Sequence, residues 1–105
     1  MRDRKSVLMV IYDLPTLTSE QRRDAQKFRK KLIASGFLSL QESVYVKLLR
    51  NASGADSEVA AVQQLAPREG VVQVIPMSLQ VFQNMRTLTG EGFNMKVFAD
   101  DLIFF

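Results

Sequence analysis

Apolar residues open the chain in an unbroken run, Val7-Leu8-Met9-Val10-Ile11-Tyr12, which ends at Asp13-Leu14-Pro15. Six apolar positions with β-branched members and a turn signal behind them predict a central strand buried on both faces. Its alternate residues form two sets, Val7, Met9 and Ile11 on one face and Leu8, Val10 and Tyr12 on the other. Pro15 drives Leu14 to an extended conformation and stops any helix there. The pattern then changes period. From Glu20 to Ala34 there is no Pro or Gly, and Ala25, Phe28 and Leu32 recur at helical spacing as one apolar stripe. Thr18 or Ser19 supplies the N-cap, Glu20 lies near the positive end of the dipole, and Gly36 falls where a left-handed C-cap belongs.

Phe37–Gln41 and Ser43–Leu49 alternate in part and are rich in strand formers. They read either as two strands joined tightly near Glu42 or as one bent strand, and no Asn-Gly or Gly-Gly pair marks the join. After an Asn51–Gly54 loop, Ala55–Ala66 reads as a second helix with Val59, Val62 and Leu65 inward, ended by Pro67. Val71–Ile75 is a further strand, and Pro76 assigns its end to a sheet edge. Leu79–Met85 forms a short helix carrying Val81, Phe82 and Met85. The segment from Phe93 to Phe105 is too apolar for a disordered tail. It is expected to pair as a strand or to dock on another surface.

The order β-α-β(β)-α-β predicts a ferredoxin-like α/β fold, an α+β sandwich with an antiparallel sheet and its helices on one face. The 105 residues fit one domain over 1–105, with 86–105 a tail or strand for dimer or partner contacts. A chain of this size buries roughly 60–70% of its unfolded surface, enough for a core without cross-links. The other sheet face needs cover, and a second copy is the simplest, so a homodimer is expected.

Composition narrows the chemistry. Cysteine and histidine are both absent. That excludes disulfides, zinc sites with thiolate or imidazole ligands, and Ser-His-Asp or Cys-His catalysis. Any metal must be a hard cation on oxygen ligands, such as Mg²⁺. A net charge of +3 and a pI near 9.5 favour an anionic partner. No apolar run approaches the ~20 residues of a membrane span, and Val7–Tyr12 is too short for a signal peptide's core, so no membrane association and a cytoplasmic location are expected.

Six of the 14 basic residues fall within ten positions of the first helix: Arg22, Arg23, Lys27, Arg29, Lys30 and Lys31. Arg23, Lys27, Lys30 and Lys31 share one side, roughly opposite the apolar stripe. In an arbitrary protein such a run is a solvated helix face, but like charges at this spacing cost helix stability, which leans the reading toward an anionic ligand such as a phosphate backbone. Arg22, Arg23, Lys27, Lys30 and Lys31 are the candidate nucleic-acid-binding residues, with Arg50, Arg68 and Arg86 as alternatives elsewhere in the chain. Asp13 ends a buried strand, a usual place for functional side chains in α/β folds. Taken alone it fits an Asx-turn opening the Asp-Leu-Pro loop or an oxygen ligand. One carboxylate is a poor Mg²⁺ site, and a two-fold axis would supply the second. Tyr12, Phe37 and Tyr45 sit in apolar strands and read as core or dimer packing.

Four stretches stand in order at compatible spacing: Leu8–Pro15, the basic helix Arg22–Leu32, Gly36–Leu48 and Pro67–Pro76. Together they resemble the Cas-two family, the small CRISPR-associated adaptation protein, in the form found beside type II systems. The resemblance runs over roughly residues 7–85. It implies a symmetric homodimer of ferredoxin-like folds that bridges two dimers of the larger CRISPR integrase and captures short double-stranded DNA for insertion as a spacer. It also implies a metal-dependent endonuclease acting on RNA or DNA, an endoribonuclease by its usual description, with Asp13 as the metal ligand and catalytic residue. The charged Met1–Lys5 extension and the stretch beyond Gly90 have no counterpart in that pattern. The competing reading is a ferredoxin-like module that binds a small regulatory molecule. It needs no basic helix.

Overall fold

In the computed structural model, which describes residues 5–98, the apolar run becomes β1 (Ser6–Asp13), a central strand. With β2 (Leu38–Gln41), β3 (Val44–Leu49) and β4 (Val71–Ser78) it forms one antiparallel sheet in the order β2-β3-β1-β4. α1 (Ser19–Ala34) joins β1 to β2, and α2 (Ala55–Leu65) joins β3 to β4. This is the ferredoxin-like arrangement that the order of elements predicts.

Both ends of α1 are fixed by their sequence. The Thr18 hydroxyl accepts from Gln21 N at 3.0 Å while Gln21 Oε1 accepts from Thr18 N at 3.0 Å, a reciprocal capping box. At the other end Gly36 takes φ +96°, Gly36 N donates to Ile33 O, and Phe37 N donates to Leu32 O. That pairing is a Schellman motif, which only a residue free of Cβ strain closes cheaply.

Residues 37–49 resolve into two strands joined at Glu42-Ser43. The pairing passes from Ser39↔Tyr45 to Gln41↔Val44, so Leu40 is an extra residue in a bulge. Among the described residues every positive φ belongs to a glycine, so this turn is not of the Asn-Gly kind. β4 runs on through Pro76 to Ser78, three residues past the expected end at Ile75. Its place at the sheet edge explains this, because one side of an edge strand has no ladder for proline to break.

α3 is shorter than the pattern predicts, Leu79–Gln83, started by the Ser78 hydroxyl accepting from Val81 N at 3.1 Å. Of its expected apolar trio only Phe82 is buried; Val81 and Met85 are exposed.

The two faces of β1 feed two cores. Leu8 and Val10 pack with Phe28, Leu32, Phe37, Tyr45 and Val62 beneath α1 and α2. Val7 and Val46, on the opposite face, pack with Leu79, Phe82 and Phe98. Phe93 and Phe98 lie 5.5 and 6.1 Å from the Phe82 ring, and Met95–Phe98 forms a 3₁₀ turn. So α3 and residues 93–98 cover much of the face for which a partner is expected. The tail beyond Phe98 lies outside the described residues. Among those described, no helix is long and apolar enough to cross a membrane.

Candidate nucleic-acid interface and the Asp13 cleft

β1 delivers Asp13, exposed, at the end of the central strand. Alternation puts it in the row of Val7, Met9 and Ile11, at the rim of the face that α3 leaves open. That open half carries Ile11 and Val44, paired in register and half-buried, with Val71 and Ile75 of β4, which are 53% and 43% exposed, and the exposed Gln73 between them. Here Asp13 and Val71 are paired, and Gly70, at φ +88°, abuts the Asp13 backbone.

A cleft of about 810 Å³ opens beside Asp13, between the β1–α1 connection, one flank of α1 and the β2–β3 turn. Its charged lining is Asp13, Arg22, Arg23, Arg29 and Glu42. The three arginines are not equivalent. Arg22 donates from Nη1 to the carbonyls of Thr16 and Leu17, both at 3.1 Å, and ties down the connection. Arg23 and Arg29 make no hydrogen bond or ion pair among the described residues.

The lysines lie elsewhere. Lys27 and Lys31 line a separate groove of about 480 Å³ on the other flank of α1, with Arg68, Glu20, Asp24 and Glu69. Lys30 is exposed and lines neither. The five basic residues singled out in the sequence are thus spread around α1: Arg22 and Arg23 reach the cleft, Lys27 and Lys31 the groove, and Lys30 the surface between. Arg29 was absent from that set. Its signal was available, since it stands seven residues, two helical turns, after Arg22 and so on the same flank.

Tyr12 forms part of the cleft wall and belongs to the core at the same time. Its ring stacks on Tyr45 at 6.0 Å and meets Phe28 edge-on at 5.1 Å. Burial, and next to it Tyr45, push its hydroxyl up to about 12, while Arg29 pulls the other way. A ring already stacked this way is a wall, not a free platform for a base.

No group of three acidic side chains gathers to hold a cation among the described residues. An exposed Asp13 with Glu42 in the same cleft leaves a hard, six-coordinate ion short of protein oxygens. Asp13 and Glu42 would leave most positions around such an ion to water, substrate or a second copy.

A family model described as CRISPR associated protein Cas2 matches residues 6–85, from the first residue of β1 to just past α3. The chain belongs to the Cas2 family. A protein of Ligilactobacillus salivarius named CRISPR-associated endoribonuclease Cas2 is 39% identical over 84 residues, 80% of this chain and 83% of that protein. One of the same name from Treponema denticola is 39% identical over 85 residues, 81% of this chain and 84% of its own length. A third, from Campylobacter jejuni, is 32% identical over 98 residues, 92% of this chain and 68% of that protein. The Cas2 match takes in the whole sheet, Asp13 and every cation of α1.

Proposed function

We propose that this Cas2-family chain is the small subunit of a CRISPR adaptation complex, a homodimer that binds double-stranded DNA and bridges dimers of the larger CRISPR integrase in the cytoplasm. The observation that carries this reading is the family match over the entire sheet. The open half-face agrees with it. Ile11, Val44, Val71 and Ile75 form an apolar patch of the kind a second copy buries. The cations of α1 supply a charged, sequence-blind surface for phosphates.

A second reading, endonuclease activity on RNA or DNA, is favoured by the relatives' endoribonuclease names and by an exposed carboxylate in an arginine-lined cleft. Since one chain is short of oxygen ligands, Mg²⁺ would be held by Asp13 of both copies. In this reading Asp13 is the catalytic residue and would hold the ion, whose chemistry would be to lower the pKa of a bound water. The small-molecule module gains no support from a cleft walled by three arginines.

The test is co-purification with the neighbouring integrase followed by a spacer-integration assay with a short labelled duplex. Integration that needs both proteins is expected. Integration at full rate by the integrase alone would overturn the proposal.

A further inference from the structure

The flank of α1 that borders the second groove carries both signs of charge. Glu20, Asp24, Lys27 and Lys31 all stand there, exposed, within about 60° of the helix circumference at ~100° per residue. They are sorted along the axis, with the two carboxylates in the N-terminal half and the two ammonium groups in the C-terminal half. Within one chain this order is costly. Glu20 and Asp24, and again Lys27 and Lys31, are like charges at i, i+4, which repel. Asp24 and Lys27 have the i, i+3 spacing of an ion pair, but none of the four side chains makes an ion pair or hydrogen bond among the described residues.

The order has a symmetry that one chain does not use. Glu20 and Lys31 lie at equal distances from the midpoint between Ala25 and Gln26, and so do Asp24 and Lys27, with opposite signs on the two sides. A two-fold axis through that midpoint lays a second α1 antiparallel on the first. It sets Glu20 of each copy opposite Lys31 of the other, and Asp24 opposite Lys27. The stripe is about 16 Å long, and four ion pairs fit along it. The groove's other wall adds one charge of each sign, Arg68 and Glu69, and Glu69 accepts from Gln21 Nε2 at 3.4 Å beside the acidic half. A phosphate backbone meets only half of this surface favourably, since the carboxylates repel it. Its full electrostatic complement is a second copy of itself.

We propose that this flank of α1 is a self-association surface on which two copies of the chain pair antiparallel through reciprocal ion pairs. It lies on the helix side of the sheet, away from the open half-face, and does not depend on the dimer proposed there. Exposed ion pairs are individually weak, so the contact is reversible and governed by salt. Where both contacts form, they face opposite ways and link dimers into open rows.

The experiment is sedimentation of the full-length chain carrying Ile75→Glu, which blocks the sheet-face dimer, at ~0.01 M and ~1 M ionic strength, where charges act over roughly 30 Å and 3 Å. The mass at low salt should be twice that at high salt, and the high-salt mass should be the 11.9 kDa of one chain. In the same background Asp24→Lys alone and Lys27→Glu alone should each abolish the doubling, because like charges then meet across the axis. Mixed one to one, the two variants should recover it, since every facing pair is again opposite in sign. Asp24→Lys/Lys27→Glu in one chain should keep it, because the exchange preserves both the antisymmetry and the net charge. Melting by circular dichroism checks each variant. Should Asp24→Lys fail to fold, Glu20→Lys and Lys31→Glu, the outer pair, serve the same test.

A mass that does not change with salt overturns the inference. So does association that survives in either single variant by itself, or that is lost in Asp24→Lys/Lys27→Glu, since the register would then be wrong. If the mass is constant and Lys27→Glu lowers duplex affinity, the flank is a phosphate track: this inference falls and the duplex-binding proposal stands. If the parent chain has the mass of the Ile75→Glu protein at ~1 M, the sheet-face dimer falls, and a doubling at low salt still upholds the α1 contact.

Discussion

A Cβ atom on Gly70 would stand 2.6 Å from the carbonyl oxygen of Asp13 and 3.0 Å from Leu14 Cα. The start of β4 therefore closes onto the end of β1 only through a glycine, and φ +88° makes the same demand. Gly70→Ala is expected to destabilise the protein by about 2 kcal/mol, since the left-handed conformation alone costs an L-residue roughly 1–2 kcal/mol. The backbone contact adds to that. Urea unfolding would read it, and an unchanged midpoint would contradict the contact.

Thr18 and Gln21 cap the helix that carries the cations, so Thr18→Ala should cost about 1 kcal/mol. A thermal melt would show the drop. Duplex affinity at temperatures where the fold is intact should not change, because neither residue is a cation. A protein as stable as the parent would mean that the cap is redundant.

Tyr12 should ionise late. Its hydroxyl, pushed up to about 12 by burial and then by Tyr45, stays protonated in the folded chain while the unfolded chain ionises near 10.0. The stabilisation this implies is complete below about pH 10 and is lost as pH rises through about 12. Ultraviolet titration of the phenolate, with Tyr12→Phe as control, reads the position directly. Arg29→Gln should raise it further, since Arg29 favours the anion. A Tyr12 that ionises near 10 in the native protein refutes the argument.

Asp13→Asn should abolish metal-dependent cleavage while leaving dimerisation, duplex affinity and spacer integration largely intact, because bridging requires surface and charge and no carboxylate. Cleavage and integration run side by side on one preparation decide it. Loss of integration with the dimer and duplex affinity preserved would give Asp13 a direct role there.

The protein should sediment as a dimer at micromolar concentration. Ile75→Glu, which places a charge in the open half-face, should yield a monomer of 11.9 kDa. A parent chain that sediments at the monomer mass would remove the two-copy metal site along with the dimer.

Much of the fold was legible in the residues because local signals agreed with one another. The Val7–Tyr12 run, the Thr18 cap, the Phe28 and Leu32 stripe and Gly36 each point to the element observed. What escaped was set by neighbours distant in sequence. β4 continues past Pro76 because of its edge position, which only the sheet order reveals. α3 stops at Gln83 with Val81 and Met85 in solvent, and the rings that join Phe82 over Val7 come from residues 93–98, which no local signal reveals. The cations of α1 met the same limit. Periodicity told which residues face away from the core, but which outward flank borders the Asp13 cleft depends on where the β2–β3 turn falls.

Phe82, Phe93 and Phe98 close the sheet over Val7 and Val46 and leave Ile11 and Val44 half-buried outside that cluster. A flat apolar plane holds little angular information, so a wholly open face would accept a second copy in many rotational settings. The aromatic ridge removes that freedom. A copy that seats on what remains is pushed toward the Asp13 end, and the two-fold axis relating the pair must pass through that end as well. In the proposed dimer the segment that shields half of the core would act as a key, setting from one side of the molecule how near two carboxylates on different chains come to each other.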